Sequence, residues 1–409
     1  MKGPAASETG LRRRVVSACG ALTALLLCLV LLPIDEASAR FTDAGQVRSV
    51  VGSIPARQVG LVDVAAGRDW SLGVSDDGKL FTWGSNVLGR LGRTNVSVSG
   101  IDPTPGLVEF PDDQTVVSAS AGLDTGIALT RDGGVYTWGR PDIVGGGPTP
   151  QRVEFFDTID DDVVGVSTGT FFYLAWTLGG DLYSWGDASG GRLGRPGDTN
   201  SPPALVTAQG IDTRFVSSAD AGFLQGLAVV EGEVVVWGGE VDIFGGIDGV
   251  TITGLSGDTV TGASIGTNRI LFWSSSGQLY TAPGSDSDSG YVPGLNGITG
   301  AAVSDPLSAA PGALSFFAWN EAGQLYAWGN NSAGQLGLGD VGPSVAEPTL
   351  VALPPDSSPA KVAPGIQHTL YLDQSRSYTG AGANSQGQLG TGEFTYRSSF
   401  GTPTPVMEW

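Results

Sequence analysis

One unit recurs seven times along this chain of 409 residues and constrains its fold more than any other feature. Each copy opens with a small residue and Gly, continues through an apolar segment and a polar turn, and ends in an aromatic strand that closes on Trp-Gly. The first copy runs from Ala66-Gly67 through Asp76-Asp77-Gly78 to Trp83-Gly84. The positions equivalent to this Trp are 83, 138, 185, 237, 282, 328 and 381, with alanine in place of Trp at 282 and 381. A repeat of this length is the signature of a solenoid or a propeller.

The opening glycines define the length of the unit. They are Gly67, Gly122, Gly169, Gly222, Gly266, Gly312 and Gly365. The distance from the opening glycine to the Trp position is 16 residues in every copy except the fourth, where it is 15. The variation in length therefore lies in the connections, as it does for surface loops on a fixed scaffold.

The composition and the repeat together predict the fold class. With 64 Gly and 24 Pro, the chain has too many helix-breaking residues for a helical bundle. A four-stranded unit of this size cannot bury both of its faces alone, and closing the units into a ring protects their edge strands. We therefore predict an all-β fold, a seven-bladed β-propeller of four-stranded antiparallel blades.

The end of the chain matches earlier connections between the repeats. Thr402–Glu408 is similar in sequence to the segments at 103–109 and 148–154. We expect this segment to be a strand of a blade whose remaining strands come from the N-terminal end of the domain.

Four copies continue past Trp-Gly with Gly-Arg-Leu-Gly or Gly-Gln-Leu-Gly. These tetrapeptides lie at 89–92, 191–194, 334–337 and 387–390. Together with the stretches Trp328–Gly337 and Gly365–Thr369, they resemble the repeat of the regulator of chromosome condensation (RCC1) family over residues 60 to 405. The resemblance implies a seven-bladed propeller, and the leader described next indicates a secreted, bacterial-type member.

The N-terminus has the pattern of a secretory signal peptide. Arg12–Arg14 precede the uncharged stretch Val15–Leu32, and Ala37–Ala39 form an A-x-A cleavage pattern. Because Cys19 and Cys28 both lie inside this leader, we expect no disulfide in the mature chain. The alternative is a retained signal anchor, since the 18 uncharged residues are nearly enough to span a bilayer.

These patterns divide the chain into a signal peptide at 1–39, an N-terminal segment at 40–59 that leads into the propeller, and the RCC1-like β-propeller at 60–409. We expect the product to be secreted and extracellular, or associated with the cell surface. The residues at 405–409 form no apolar tail, so we expect no stable membrane insertion after cleavage. We also expect the protein to be a monomer.

Charge narrows the class of partner. The chain has 41 Asp and Glu against 21 Lys and Arg, a net charge of -20. Phosphate binding needs clustered basic residues, so we predict that the protein does not bind nucleic acid. Anionic membrane surfaces are disfavoured for the same reason. The expected partner is an unidentified protein or a ligand of the cell envelope.

The sequence offers little catalytic chemistry. Its only histidine, His368, falls on a consensus position of the repeat, without the partners that nucleophilic catalysis requires. We predict no catalytic residue, no metal site, no cofactor and no enzymatic activity. Asp286–Gly290 is a fragment of a calcium-loop pattern that lacks the later carboxylate, and we interpret it as a solvated loop.

The function that these observations favour is a secreted, non-enzymatic module that binds a protein or an envelope component through one face. Nucleotide exchange on a small GTPase, which the resemblance implies, is the first alternative, although export argues against it. An extracellular hydrolase that uses a pair of the many carboxylates is a weaker alternative.

The segments just after the opening glycines are expected to form a ring around one end of the central axis, and they differ in every blade. Aromatic residues and Arg supply most of the binding energy at protein interfaces. The predicted partner-binding residues are Trp70, Phe171, Phe172, Phe223, Arg269 and His368. In the alternative interpretation, these side chains fill the mouth of the channel and pack against the adjacent blades.

Cleavage of the leader has a direct consequence for the exported protein. We expect it to begin near Arg40 and to contain no disulfide. N-terminal sequencing of the exported product checks this prediction. A membrane-bound product that keeps residues 1–39 would contradict it.

Overall fold

The computed structural model describes residues 57–408, apart from residues 144, 240–245, 253–256, 268, 284–289 and 306–312. The predicted signal peptide at 1–39, residues 40–56 and most of the calcium-loop fragment at 286–290 lie outside the described residues. Within the part of the chain that the structure describes, no helix is long and apolar enough to cross a membrane.

Antiparallel sheets of consecutive strands follow one another along the chain. Blade one comprises β2 (Leu61–Ala66), β3 (Trp70–Ser75), β4 (Leu80–Ser85) and β5 (Ile101–Leu107), blade two β6 (Val116–Ala121), β7 (Thr125–Thr130), β8 (Val135–Gly139) and β9 (Gly147–Arg152), and blade three β10 (Val163–Thr168), β11 (Phe172–Thr177), β12 (Leu182–Gly186) and β13 (Ser201–Leu205). Blade four comprises β14 (Val216–Ala221), β15 (Gln225–Val230), β16 (Glu233–Gly238) and β17 (Gly246–Ile252), and blade five β18 (Val260–Gly266), β19 (Arg269–Ser274), β20 (Leu279–Pro283) and β21 (Gly290–Tyr291). Blade six comprises β22 (Ile298–Val303), β23 (Ser315–Asn320), β24 (Leu325–Asn330) and β25 (Ser344–Leu350), and blade seven β26 (Pro359–Pro364), β27 (His368–Asp373) and β28 (Tyr378–Gly382).

Short 3₁₀ helices lie in the connections of the first four blades. They span Val87–Gly89, Pro111–Asp113, Glu154–Asp157, Ser189–Gly191 and Ala208–Thr213.

The hydrophobic core lies between neighbouring blades. In blade one, β3 and β4 are buried along their full length, whereas the outer strand β5 is exposed or partly exposed. Each of seven apolar clusters joins two consecutive blades. One of them joins blade seven to blade one through Leu370, Tyr378 and Trp83, so the ring is closed. The predicted all-β, seven-bladed propeller is confirmed.

The residues predicted to replace Trp occupy the same strand position as the Trp residues. Trp83 lies opposite Ser71, and Ala282 and Ala381 hold the same register opposite Ile270 and Thr369. The other five equivalent positions, 83, 138, 185, 237 and 328, hold Trp. The first four are fully buried, whereas the fifth is partly buried and stacks on Phe316 at 5.4 Å.

Blade six departs from the predicted alignment of the repeats. In blade seven the opening glycine, Gly365, donates its N–H to the carbonyl of His368, three residues later. In blade six, Ser304 holds this place, and its N–H donates to the carbonyl of Ser315 at 2.9 Å. The turn is therefore longer by eight residues. The prediction of Gly312 as the opening glycine is wrong, because Ser304 holds that place. Gly312, which lies outside the described residues, only stands at the expected sequence distance from Trp328.

The two ends of the propeller meet in a short sheet, where β1 (Arg57–Val59) pairs antiparallel with β29 (Val406–Glu408). Arg397 and Thr404 each form a single β-bridge with β28, so the segment at 397–404 occupies the outer position of blade seven. The expectation that N-terminal strands would supply the rest of that blade is wrong. Blade seven takes its three strands from residues 359–382, and β1 contributes only the pairing with β29.

Trp138 provides a test of the packing between blades. It is fully buried, and its Nε1 donates to the carbonyl of Arg90 in blade one at 2.9 Å. We expect Trp138→Ala to lower the free energy of unfolding by about 3–5 kcal/mol. The matched variant Trp328→Ala should cost clearly less, because Trp328 is only partly buried. Urea denaturation of both variants measures the difference, and equal losses would contradict this packing.

Candidate functional site

Three of the six predicted partner-binding residues have no exposed surface. Trp70, Phe172 and His368 are each 0% exposed. All three begin the second strand of their blade. They cannot contact a partner while the blades stay packed, so the alternative interpretation, packing against the adjacent blades, describes their position.

The start of the second strand links neighbouring blades. Trp70 Nε1 donates to the carbonyl of Gly122 in the next blade at 3.1 Å. Thr125 Oγ1 makes the equivalent bond to the carbonyl of Gly169 at 2.9 Å. The pattern recurs because the propeller places these turns in equivalent positions.

His368 forms a link between blade seven and blade one. Its Nε2 lies 2.9 Å from Ser71 Oγ, and this hydroxyl donates to the carbonyl of Gln388 at 2.8 Å. Because that bond uses the hydroxyl proton, we assign Nε2–H as the donor to Ser71 Oγ and leave Nδ1, which has no hydrogen-bond partner in the described part of the chain, unprotonated. Burial lowers the pKa of His368 to about 3, so the ring is neutral at physiological pH.

The other three predicted residues reach the surface to different extents. Phe171 and Phe223 are partly buried, and Arg269 is exposed. The guanidinium carbons of Arg140 and Arg192 lie 4.7 and 5.2 Å from the centre of the Phe171 ring, in cation–π geometry. Phe223 and Arg269 lie on blades four and five, away from Phe171 and its two arginines.

Phe171 belongs to a row of contacting residues across blades one to three, which we call the Arg–Asp ladder. In order of contact, its members are Arg68, Asp69, Arg90, Asp124, Arg140, Phe171, Arg192 and Asp187. Asp124 lies 3.1 Å from Arg90 and 3.9 Å from Arg140, so it bridges two guanidinium groups. Half of the members lie in the turns between the first and second strands, and the other half follow the third strands. Because the third strand ends beside the start of the second, all members lie at the same end of the propeller.

Two arginines of the ladder come from the Gly-Arg-Leu-Gly tetrapeptides. The carbonyls of Arg90 and Arg192 accept hydrogen bonds from the indole N–H groups of Trp138 and Trp237, each at 2.9 Å. Their side chains are 4% and 5% exposed. Burial lowers the pKa of both, although nearby carboxylates oppose the shift, and both remain cations. Each guanidinium has one nitrogen, Nη1, without a hydrogen-bond partner among the described residues.

The Arg–Asp ladder contains charged and aromatic groups of the kind that bind other proteins. Arg68, Asp69 and Arg140 are partly exposed and can exchange their ion pairs for pairs with a partner, and Phe171 adds apolar contact area. Among the residues that the structure describes, no group of three or more His, Cys, Asp or Glu could hold a metal ion.

A pair of carboxylates lines the central channel, a cavity of about 470 Å³. Burial, and to a smaller extent the charge of Asp220, raises the pKa of Asp305 to about 7, although a hydrogen bond from Thr267 Oγ1 at 2.8 Å opposes this shift. Asp220 accepts hydrogen bonds from Ser167 Oγ at 3.1 Å and from the Ile265 N–H at 3.0 Å. These bonds connect blades three to six, so both carboxylates have a structural role.

Comparison with known proteins identifies the repeats. Two family profiles described as the Regulator of chromosome condensation (RCC1) repeat match the chain, one at residues 77–129 and 322–372 and the other at residues 61–90. These parts of the propeller therefore match the RCC1 repeat, which supports the resemblance found in the sequence.

Relatives and solved structures extend this likeness over most of the chain. The Ultraviolet-B receptor UVR8 of Arabidopsis thaliana is 27% identical over 363 residues, which cover 82% of this chain and 80% of that protein. Human WBSCR16 superimposes with a TM-score of 0.66 at 20% identity over 77% of this chain and 87% of its own. Prp20p from Saccharomyces cerevisiae gives a TM-score of 0.64 at 18% identity over 75% and 80%. The two structures show the same fold. All three proteins are eukaryotic and do not support the bacterial-type subgroup, which stays a prediction.

The burial of His368 makes a pH-dependent contribution to stability. Its pKa in the folded protein, about 3, lies below the ordinary value of 6.5, so the neutral ring stabilises the fold above pH 6.5 and this stabilisation is lost as the pH falls. We expect the difference in free energy of unfolding between the wild type and His368→Asn to shrink by roughly 2 kcal/mol from pH 7 to pH 5. Urea denaturation at both pH values measures it. The two proteins share every other titrating group, so a constant difference would contradict the assignment.

Proposed function

We propose that this chain is an exported, non-enzymatic propeller that binds a protein partner through the Arg–Asp ladder. The names of its relatives support a regulatory or binding role. UVR8 is named an ultraviolet-B receptor. Prp20p is described together with its binding to Gsp1p and histones.

The observation that carries the proposal is the arrangement around Phe171. Its ring is partly buried and contacts the guanidinium groups of both Arg140 and Arg192. An aromatic ring held by cations in this way loses little conformational freedom when a partner covers it. Arg140, which is only partly buried, lies on this ring and can pair with a partner's carboxylate or carbonyl groups.

The alternation of Arg and Asp from Arg68 to Arg140 gives such a face specificity. A partner must present complementary charges in the same order, since like charges placed opposite each other are repelled. A protein surface meets this requirement more readily than a uniform envelope polymer, so we favour a protein over a cell-envelope ligand.

Regulation of a small GTPase is the second candidate, and the RCC1 repeats favour it. It requires a product that stays in the cytosol with its leader intact. The location of the mature protein therefore distinguishes the two functions. A hydrolase that uses the channel carboxylates is less favoured, because Asp220 and Asp305 hold neighbouring blades together through their oxygens.

The proposal predicts which substitutions weaken partner binding. We expect Phe171→Ala and Arg140→Ala each to lower the affinity for a partner captured from the native culture by about tenfold or more. The matched controls are Leu178→Ala and Arg131→Ala, since both residues are exposed at the opposite end of the propeller. Purified partner is titrated against each variant after thermal unfolding has shown that the variant is folded. Full affinity in both ladder variants, or an equal loss in the controls, would overturn the proposal.

A further inference from the structure

Blade seven differs from other blades at one pair of facing residues in its second and third strands. In four blades this pair joins a small residue to an aromatic one: Gly73–Phe81, Ala128–Tyr136, Ala175–Tyr183 and Ala318–Tyr326. In blade seven, Tyr371 faces Thr379. The aromatic ring has moved to the second strand, and the third strand carries only a small side chain.

A cavity of about 510 Å³ opens next to Thr379. Its apolar walls come from the connection into blade seven and from the C-terminal segment, and they comprise Leu353, Pro354, Pro355, Phe400 and Pro403. Cavities of this size accept small organic ligands. Proline and phenylalanine rings offer flat apolar surfaces, which match the faces of an aromatic ring.

Thr379 lines this cavity and carries an unsatisfied polar group. The residue is 2% exposed, and its Oγ1 has no hydrogen-bond partner among the described residues. A buried hydroxyl without a partner destabilises a protein, so a ligand that pairs with it gains the full value of the bond. The hydroxyl oxygen can accept a hydrogen bond from an N–H or O–H group.

Three other polar groups of the cavity, Ser357, Tyr371 and Asp373, are already paired with one another. Ser357 Oγ lies 2.6 Å from the hydroxyl of Tyr371 and donates to Asp373 Oδ2 at 2.7 Å. Burial acts to raise the pKa of Asp373, but hydrogen bonds from Ser375, Ser357 and Ser358 outweigh it and lower the pKa. The carboxylate is thus ionised at neutral pH, and its charge disfavours anionic ligands.

We propose that this cavity, the blade-seven pocket, binds a small uncharged aromatic molecule whose N–H or O–H group donates to Thr379 Oγ1. The site goes beyond the proposed protein-binding function, because the Arg–Asp ladder lies on blades one to three. The two sites are therefore tested independently.

Indole is a suitable probe, since it is flat, uncharged and carries a single N–H donor. We expect saturable binding of indole to the folded wild-type protein by titration calorimetry, and at least tenfold weaker binding of indole-2-carboxylate. Thr379→Tyr restores the aromatic residue found in other blades and fills the cavity. Blade five shows that facing aromatic residues fit at this position, because Phe272 and Tyr280 stack there at 5.3 Å.

Three variants separate the pocket from other sites. Thr379→Tyr should abolish indole binding, and Thr379→Val, which keeps the shape but removes the hydroxyl, should weaken it several-fold. Thr349→Tyr, on the exposed outer strand of blade six, should leave the affinity unchanged. Unaltered affinity in folded Thr379→Tyr, or no saturable binding to the wild type, would overturn the proposal. Should Thr379→Tyr fail to fold, unaltered affinity in Thr379→Val would overturn it.

Discussion

The turns that open neighbouring blades approach each other so closely that their backbones touch at Gly67, Gly122, Gly169, Gly266 and Gly365. A Cβ atom on Gly67 would lie 2.4 Å from the carbonyl oxygen of Gly122, and one on Gly122 would lie 2.2 Å from that of Gly169. No side chain fits at such distances, so glycine at these positions allows the inner circle of the propeller to close. The other contacts between blades depend on this spacing. Trp70 reaches the next turn with its indole N–H, and Trp138 reaches back to the loop of the preceding blade.

Two arginines of the Arg–Asp ladder occupy a repeat position whose contact with the next blade is made by the backbone. The tetrapeptide loop holds the Trp of the next blade through a backbone carbonyl, supplied by Arg90 for Trp138 and by Gln388 for Trp83. Because only the backbone makes this contact, either Gln or Arg can occupy the position without change to the fold. A chain with a net charge of -20 can therefore place arginines on one end of the propeller, where the turns also differ from blade to blade.

The number of blades was predictable because the repeat recurs in strand register even where Ala282 replaces Trp. The opening position of blade six was not, since Ser304 lacks the glycine signature and another glycine stands at the expected sequence distance from Trp328. The site was harder to predict. Aromatic residues favour both binding and packing between blades, so sequence alone could not separate the buried Trp70 from the partly exposed Phe171. The partners of the ladder are far apart in sequence, as Arg90 and Asp124 are, and only the packing of blades brings them together.

The close approach of the opening turns is tested most directly by a pair of glycine substitutions in blade two. Neither Gly122 nor Gly147 has a positive φ, so alanine is compatible with both backbones. A Cβ on Gly122 meets the carbonyl oxygen of Gly169 at 2.2 Å, whereas the nearest atom to a Cβ on Gly147 is 3.8 Å away. The free energy of unfolding should fall by about 2 kcal/mol or more in Gly122→Ala and change by less than about 1 kcal/mol in Gly147→Ala. Equal stability of the two variants in urea denaturation would contradict the contact on which the ring depends.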